Sequence, residues 1–185
     1  MISTDFFERI KRGDRLAWNQ WMEKWYPRIF RFVLKYTNNS ILAEEAVQHT
    51  FIKAFKGVKN LKDPNKLKSW IYAISINCAK DQLSKKSKFL GMDGGLDHLI
   101  TLPKGEKNLN QQEINRLVRS LLNKLPGEQK EVIILKEYEE MTFKEIAQLK
   151  EQSENTIKSR CYYGLKAMAK ELEKLNISKE IYYER

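Results

Sequence analysis

The last helical segment of the chain carries polar side chains that are suited to contact the edges of DNA bases. Asn155, Lys158, Ser159 and Tyr162 recur at three- and four-residue spacing, so they share one face of a helix. Asparagine can pair with adenine, lysine can donate to guanine, and serine can serve several bases. Arg160 lies at the flank of this face and suits a phosphate. The residues predicted to contact DNA here are Asn155, Thr156, Lys158, Ser159, Arg160 and Tyr162.

Two short helices, each with its own start signal, would position this face. Thr142 and Glu145 form a capping box, which Met141 and Ile146 flank as a hydrophobic staple. Ser153 can cap the next helix. The predicted inward row of that helix is Ile157, Cys161, Leu165, Met168 and Leu172. This layout predicts a helix-turn-helix whose second helix enters the DNA major groove. For the last segment taken alone, an ordinary amphipathic helix with a solvated face is the alternative.

The first half of the chain also shows helical periodicity, with almost no strand signal. Asp14 can cap a helix, within which Pro27 predicts a kink or a new start. Asn38 and Asn39 end that stretch, and Ser40 can cap the next helix. The apolar row predicted for that helix is Ala43, Val47, Phe51, Ala54 and Phe55. After a loop over residues 60–65, a longer helix follows with an inward row of Leu67, Trp70, Ile71, Ile74 and Cys78.

Glycine and proline concentrate between the two halves. The segment 89–109 holds Gly91, Gly94, Gly95, Pro103 and Gly105, and it predicts a flexible linker with one short turn around residues 96–99. A capping box at Asn110 and Glu113, with a staple from Leu109 to Ile114, opens the second half. The sequence therefore predicts an all-α chain of two small helical domains, residues 1–88 and 110–185, of which the second contains the helix-turn-helix.

The charge of the chain favours a polyanionic partner. The formal net charge is +10. Residues 1–88 alone carry 18 Lys and Arg against 8 Asp and Glu, so the basic excess lies in the first half. Each phosphate that a cation neutralises releases counterions, which makes nucleic acid a natural partner. The alternative interpretation of the same charge is a solvated lysine-rich surface.

Several other classes of protein are disfavoured. Cys78 and Cys161 lie far apart and are expected to be buried free thiols in a reducing compartment, and neither histidine has metal-ligand spacing to them. No apolar run approaches the ~18 residues of a membrane span, and the first residues lack an apolar signal core. We expect a cytoplasmic protein without membrane insertion. Nucleophile, phosphate-cradling and metal motifs are missing from the sequence, so neither an enzyme nor a cofactor is expected.

Two long segments resemble a known family. Residues 43–55 and 69–81 are similar to the second conserved region of bacterial sigma factors of the extracytoplasmic-function group, and residues 125–160 are similar to their fourth region. The resemblance covers roughly residues 14–88 and 110–172. Both regions occur in the family's order and are joined by a short polar linker.

The resemblance implies a role for each region. In the second region, Glu44, Glu45, Gln48 and Phe51 match the surface that docks on the clamp helices of core RNA polymerase. A solvated acidic helix start is the alternative for the two glutamates. The residues that match capture of the unpaired strand at the start-proximal promoter element are Asn60, Lys62, Lys66, Asn77 and Lys80. Trp70 belongs to the inward row and is expected in the core. An anti-sigma protein is a further partner that the family implies.

Three positions depart from the family pattern. Lys150, Glu151 and Gln152 replace an apolar-Gly-apolar turn, and a left-handed residue other than glycine there costs about 1 kcal/mol, which predicts a turn of altered shape. Ser84 stands where arginine is frequent. Residues 163–165, Tyr-Gly-Leu, replace an Arg-Ala-Arg run and remove two cations near the upstream DNA. We expect altered promoter specificity with function retained.

A self-standing helix-turn-helix regulator is the main alternative to a sigma factor. Such a regulator binds duplex DNA tightly by itself, often as a dimer on a palindrome. A sigma factor binds DNA poorly until it is on polymerase. Dependence on polymerase therefore separates the two functions.

Overall fold

The computed structural model describes residues 3–90 and 111–174, and these ranges contain helices and turns but no strand. The chain divides into two compact units. The helices of the first unit are α1 (Thr4–Lys11), α2 (Arg15–Thr37), α3 (Ser40–Gly57) and α4 (Leu67–Leu90). Those of the second are α5 (Gln111–Asn123), α6 (Gly127–Ile133), α7 (Phe143–Lys150) and α8 (Glu154–Lys174). The all-α prediction is confirmed.

The core of the first unit is aromatic. Trp21 and Trp25 of α2 face α3 and α4, where the Trp21 ring lies 5.9 Å from Phe51 and the Trp25 ring lies 6.2 Å from Tyr72. Phe32, about two turns after Trp25 on α2, meets Tyr72 edge to face at 5.1 Å. Aromatic rings bury large apolar areas and prefer such tilted geometry, so three helices are fixed against one another.

Local signals account for most helix ends in this unit. Asp14 caps α2, because its carboxylate accepts hydrogen bonds from the backbone N–H groups of Leu16 and Ala17. These bonds, together with the Arg9 guanidinium, hold the pKa of Asp14 below its ordinary value. Asn38 ends α2 in the left-handed conformation, with φ of 52°.

The predicted cap of α3 is wrong, and of the two outcomes predicted at Pro27, a kink or a new start, the new start does not occur. Asn39, and not Ser40, caps α3, because the Asn39 side chain accepts from the N–H of Leu42 at 3.0 Å. Pro27 does not start a new helix, since α2 runs unbroken from Arg15 to Thr37. The proline ring removes the bond to the carbonyl of Glu23, but both residues are exposed, so water can satisfy that carbonyl.

Some predicted core positions lie at the surface. Phe55 is 49% exposed, while Trp70 and Ile74 are half-buried. Helix α4 turns Tyr72 and Ile76 inward instead, and it continues to Leu90, past the predicted domain end. Residues 91–109 of the predicted linker, including its short turn, and the caps at Leu109 and Asn110 lie outside the described residues.

The second unit packs around α6 and the π-helical turn Ile134–Tyr138 that follows it. Leu117, Leu121 and Leu122 of α5 are buried, whereas Val118 is only half-buried. The side chains of α6 and its π turn that enter the core are Val132, Ile133, Ile134 and Leu135. Lys124, after α5, pairs with Glu171 of α8 at 2.8 Å, and hydrogen bonds from Lys124 and Lys174 lower the pKa of Glu171 to about 2.

The turn between α7 and α8 keeps a left-handed residue without glycine. Glu151 has φ of 52°. Its N–H reaches the carbonyl of Gln148 at 3.3 Å, and the N–H of Gln152 reaches that of Ala147 at 3.0 Å. This pair of bonds defines a Schellman motif, in which glycine is the preferred left-handed residue. The motif forms here despite the side chain of Glu151, because two otherwise unsatisfied carbonyls are bonded.

Replacing Glu151 by glycine is therefore expected to stabilise the second unit by about 1 kcal/mol, which is the cost of holding a non-glycine residue in this conformation. The free energy of unfolding in urea, followed by far-ultraviolet circular dichroism, measures the change. Glu140 is also left-handed, with φ of 54°, so Glu140→Gly should stabilise the protein by a similar amount for the same reason. A loss of stability in Glu151→Gly would contradict the expectation.

Lys130 in α6 is a buried cation. It is 8% exposed, and its Nζ donates to Asn123 Oδ1 at 2.7 Å. Burial removes water from the ammonium group and lowers the pKa of Lys130 to about 8. Between pH 8 and the ordinary lysine pKa of 10.5, the unfolded chain thus binds more protons than the folded chain at this site. Stability must rise with pH across that window.

We expect Lys130 to add about 1–2 kcal/mol to the free energy of unfolding of the second unit between pH 7 and pH 9.5. Lys130→Met removes the titrating group and should lose this rise. The four tryptophans, Trp18, Trp21, Trp25 and Trp70, all lie in the first unit. Helix loss that leaves tryptophan fluorescence unchanged therefore reports on the second unit. If the free energy of unfolding depended on pH equally in the unaltered protein and in Lys130→Met, other titrating groups would account for the rise.

Candidate functional site

The outward face of α8 is held by a cap at its first turn. The Ser153 hydroxyl accepts from the N–H of Thr156 at 3.1 Å and lies 2.8 Å from the Thr156 hydroxyl, so the predicted cap is confirmed. Thr142 and Glu145 cap α7 in the same way, with the Thr142 N–H donating to the Glu145 carboxylate at 2.7 Å. Met141 and Ile146, the predicted staple, are both fully buried.

Five of the six residues that the sequence assigned to this face are exposed, namely Asn155, Thr156, Lys158, Ser159 and Tyr162. Lys158 Nζ pairs with Glu154 Oε1 one turn earlier, at 2.8 Å. Exposed pairs of this kind contribute little stability, so DNA could replace the carboxylate at low cost. The structure thus brings hydrogen-bond donors and acceptors together at the N-terminal half of the helix.

Arg160 occupies a different environment. Its side chain is partly buried and makes a 2.7 Å ion pair with Glu128 at the start of α6. The same guanidinium donates to the side chain of Gln152 in the turn. Arg160 therefore links α8, the turn and α6, and a phosphate contact would have to share or replace these bonds. The polar Gln152, which departs from the family pattern, serves as its acceptor.

A glycine sets the distance between α8 and α6. A Cβ built on Gly164 would lie 2.7 Å from Ile133 Cδ1 and 3.2 Å from Gln129 Cβ. The inward row is Ile157, Cys161, Gly164 and Met168, whereas Leu165 is 39% exposed and Leu172 is half-buried. The predicted inward position of Leu165 is wrong, because the close contact requires the smallest residue and rotates Leu165 outward.

Helix α3 presents the residues assigned to polymerase. Glu44, Glu45 and Gln48 are exposed, but Phe51 is 6% exposed and its ring packs 5.7 Å from Tyr26. Trp21 and Tyr26 of α2 therefore cover most of Phe51, and its contact with polymerase stays a prediction. Phe51 also lines an open groove of about 730 Å³ between α2 and α3.

The apolar residues that line this groove are not among those predicted from the sequence to bind a partner. Ile52 is 53% exposed and Phe55 is 49% exposed. Together with Ile41 and Gln48 they recur at positions i, i+7, i+11 and i+14, which is a stripe on one helix face. This spacing in the sequence indicates an exposed apolar stripe, but the apolar row predicted for the core of α3 includes Phe55.

The residues assigned to the start-proximal element lie in the loop between α3 and α4 and on α4. Asn60, Lys62, Lys66 and Asn77 are exposed, and Lys80 is half-buried. Asp63 orders the loop by accepting from the N–H of Asn65 at 2.9 Å. Trp70 rests against the end of α3, where a Cβ on Gly57 would lie 3.2 Å from its ring. The half-buried indole therefore packs on the end of α3 and is only partly in the core.

Metal and disulfide chemistry find no support in the ranges 3–90 and 111–174. No cluster of three or more potential metal ligands occurs there. Cys78 and Cys161 are buried free thiols, as predicted, and burial together with the Glu137 charge raises the pKa of Cys161. None of the helices within these ranges is long and apolar enough to cross a membrane.

Comparison with known proteins identifies the family. Sigma-70 region 2 matches residues 21–89, and sigma-70 region 4 matches residues 115–168. The RNA polymerase sigma factor SigV of Bacillus subtilis is 32% identical over 80% of this chain and 87% of its own length. The chain belongs to the sigma-70 family. An ECF sigma-E factor of Haemophilus influenzae is 24% identical over 91% of this chain and 94% of its own, which is consistent with the extracytoplasmic-function group.

Solved sigma-factor structures have the same fold. The sigma factor RpoE of Bartonella quintana, determined in complex with the anti-sigma factor NepR, superposes with a TM-score of 0.67 and 23% identity over 84% of this chain and 96% of its own. As a member of this family, the protein is a transcription initiation factor and not an enzyme. A self-standing regulator is not favoured.

Proposed function

We propose that this sigma factor binds a promoter at two elements, one upstream and one start-proximal, while it is bound to core RNA polymerase in the cytoplasm. The capped, exposed polar face of α8 carries the proposal, since it offers base-reading side chains on a helix that the fold holds rigidly. In this proposal α8 reads the upstream element with Asn155, Thr156, Lys158, Ser159 and Tyr162, and Arg160 positions the helix.

The first unit would bind polymerase and the start-proximal element. Gln48 lines the α2/α3 groove, and Glu44 and Glu45 are exposed one turn earlier on α3, so we assign the docking surface to this part of α3. Asn60, Lys62 and Lys66 supply polar and cationic groups in the ordered loop, and Asn77 and Lys80 supply them on α4. Such groups suit a flipped base and the displaced strand backbone. An anti-sigma protein is the expected regulator, as for the neighbour that was solved with one.

Reconstitution with core polymerase tests this function. Transcripts made from genomic DNA should start at a defined set of promoters that share two sequence elements, and the protein alone should bind those promoters weakly. Specific starts that do not depend on this protein, or tight duplex binding without polymerase, would refute the proposal.

Lys158→Ala is expected to weaken recognition of the upstream element about tenfold, since a base-edge contact contributes about 1–3 kcal/mol. Its affinity for polymerase should not change. Lys170→Ala, at an exposed position later in α8, is the charge-matched control. If Lys158→Ala lost polymerase binding and promoter recognition equally, Lys158 would support the fold and not the readout.

A further inference from the structure

Helix α8 carries exposed aromatic side chains that suit an apolar contact with thymine. We propose that Tyr162 and Tyr163 form an aromatic pair that contacts the 5-methyl group of thymine in the upstream element. The inference rests on the proposed function, in which α8 lies in the major groove. It adds a residue, Tyr163, that the polar face does not include, and it names the chemical group that the pair recognises.

The two rings are exposed and contact each other. Tyr162 is 61% exposed and Tyr163 is 59% exposed. Their centroids lie 5.5 Å apart with the planes at 70°, an edge-to-face arrangement. Core packing does not explain these side chains, because the inward row of α8 is Ile157, Cys161, Gly164 and Met168. The pair therefore presents apolar area to solvent on a rigid helix.

The position of the pair extends the polar face. Ser159 precedes Tyr162 by three residues and Tyr163 by four, and Asn155 precedes Tyr162 by seven, so these side chains are neighbours on the helix surface. Asn155 and Tyr163 are separated by about 12 Å along the helix axis at 1.5 Å per residue. This span corresponds to roughly three to four base pairs at about 3.4 Å per step. The tyrosines would thus meet bases beyond those that Asn155 and Ser159 contact.

The chemistry of the pair selects thymine. Thymine is the base that exposes a methyl group in the major groove, and apolar side chains read it by direct contact. Mutual contact limits the motion of both rings, so less freedom is lost when DNA binds.

Deoxyuridine provides a direct test, because it differs from thymidine in the major groove only by the missing methyl group. The holoenzyme is assayed on promoters in which each thymine of the upstream element is replaced in turn. The unaltered protein should lose about fourfold in promoter affinity at one or two positions, the effect of one methyl-sized apolar contact. Tyr162→Ala or Tyr163→Ala should lose affinity on thymine and show no further loss on deoxyuridine at the same position.

Two variants separate the ring from other effects. Tyr→Phe at either position keeps the apolar ring and should preserve the preference for thymine. Tyr138→Ala alters an exposed tyrosine of the same unit outside α8 and should leave the preference unchanged. Helix content measured by circular dichroism and affinity for core polymerase show that each variant is folded.

The possible outcomes are distinct. If the unaltered holoenzyme recognises the upstream element but is indifferent to deoxyuridine at every position, the tyrosine proposal is wrong and the proposed function stands. If the upstream element is not recognised at all, the proposed function fails first. Loss of binding to a protein regulator, with unchanged thymine preference, would show that the pair is a protein contact and would overturn the proposal.

Discussion

Ile52→Asp is expected to lower the affinity for core RNA polymerase by about tenfold to a hundredfold, the range typical of an interface residue that contributes strongly to binding. Ile52 is half-exposed at the centre of the α3 stripe, between Gln48 and Phe55. A partner that covers the groove would bury the new carboxylate among apolar atoms without a counter-charge. Burying an unpaired charge is far more costly than losing one apolar contact.

The neighbouring rings explain why the groove is already shaped for a partner. Phe55 meets Trp18 edge to face at 5.1 Å, and Tyr26 stacks on Phe51, so both walls are held by the core beneath them. Little ordering would then be needed on binding. Leu16→Asp is the matched control, since Leu16 is 70% exposed and does not line the groove. Fluorescence anisotropy with labelled protein measures the affinity, and equal small effects in both variants would exclude the groove as the docking surface.

Gly164→Leu is expected to destabilise the second unit by about 2–3 kcal/mol and to abolish recognition of the upstream element. A leucine side chain has no space at this position, because even a Cβ would lie 2.7 Å from Ile133 Cδ1. Overfilling a packed helix contact typically costs about 1–3 kcal/mol, and relief of the clash would move α8 away from α6. A displaced recognition helix no longer places its side chains at base edges.

The smaller variant should behave differently. In Gly164→Ala the Ile133 methyl can rotate away, and alanine gains up to about 1 kcal/mol of helix propensity over glycine, so we expect a change within about 1 kcal/mol. Ala167→Leu is the control for added volume on the exposed side of the same helix. Unfolding followed by circular dichroism, with unchanged tryptophan fluorescence, assigns the loss to the second unit. Equal destabilisation by Gly164→Leu and Ala167→Leu would contradict the role of the close contact.

The sequence predicted the helical class, most caps and the polar face of α8 because these features depend on residues within one turn of each other. Ser153 needs only the N–H of Thr156, and Thr142 needs only Glu145, to form their bonds. The same reasoning narrowly misplaced the cap of α3, where Asn39 and Ser40 are both suitable residues and the extended backbone at Asn39 decided the outcome.

The positions that sequence reasoning missed depend on distant neighbours. Phe51 and Phe55 are one turn apart on α3 and equally apolar, yet Trp21 and Tyr26 of α2 bury only the first. In the same way, Gly164 rather than Leu165 faces inward because Ile133 and Gln129 of α6 approach so closely. Periodicity identifies an apolar stripe but does not fix its edges.

By itself, the sequence determined that the chain forms capped helices, that one of them carries a polar reading face, and that the family is that of the sigma factors. Bonds between residues a few positions apart and the chemistry of side chains are sufficient for these conclusions. Tertiary structure alone decided that Phe51 is covered while Ile52 and Phe55 line a groove, that Arg160 ties α8 to α6, and that Tyr162 and Tyr163 are left exposed. The reason is physical. Whether a residue is buried depends on which surface of another helix packs against it, and the residues of that surface lie far away in the sequence.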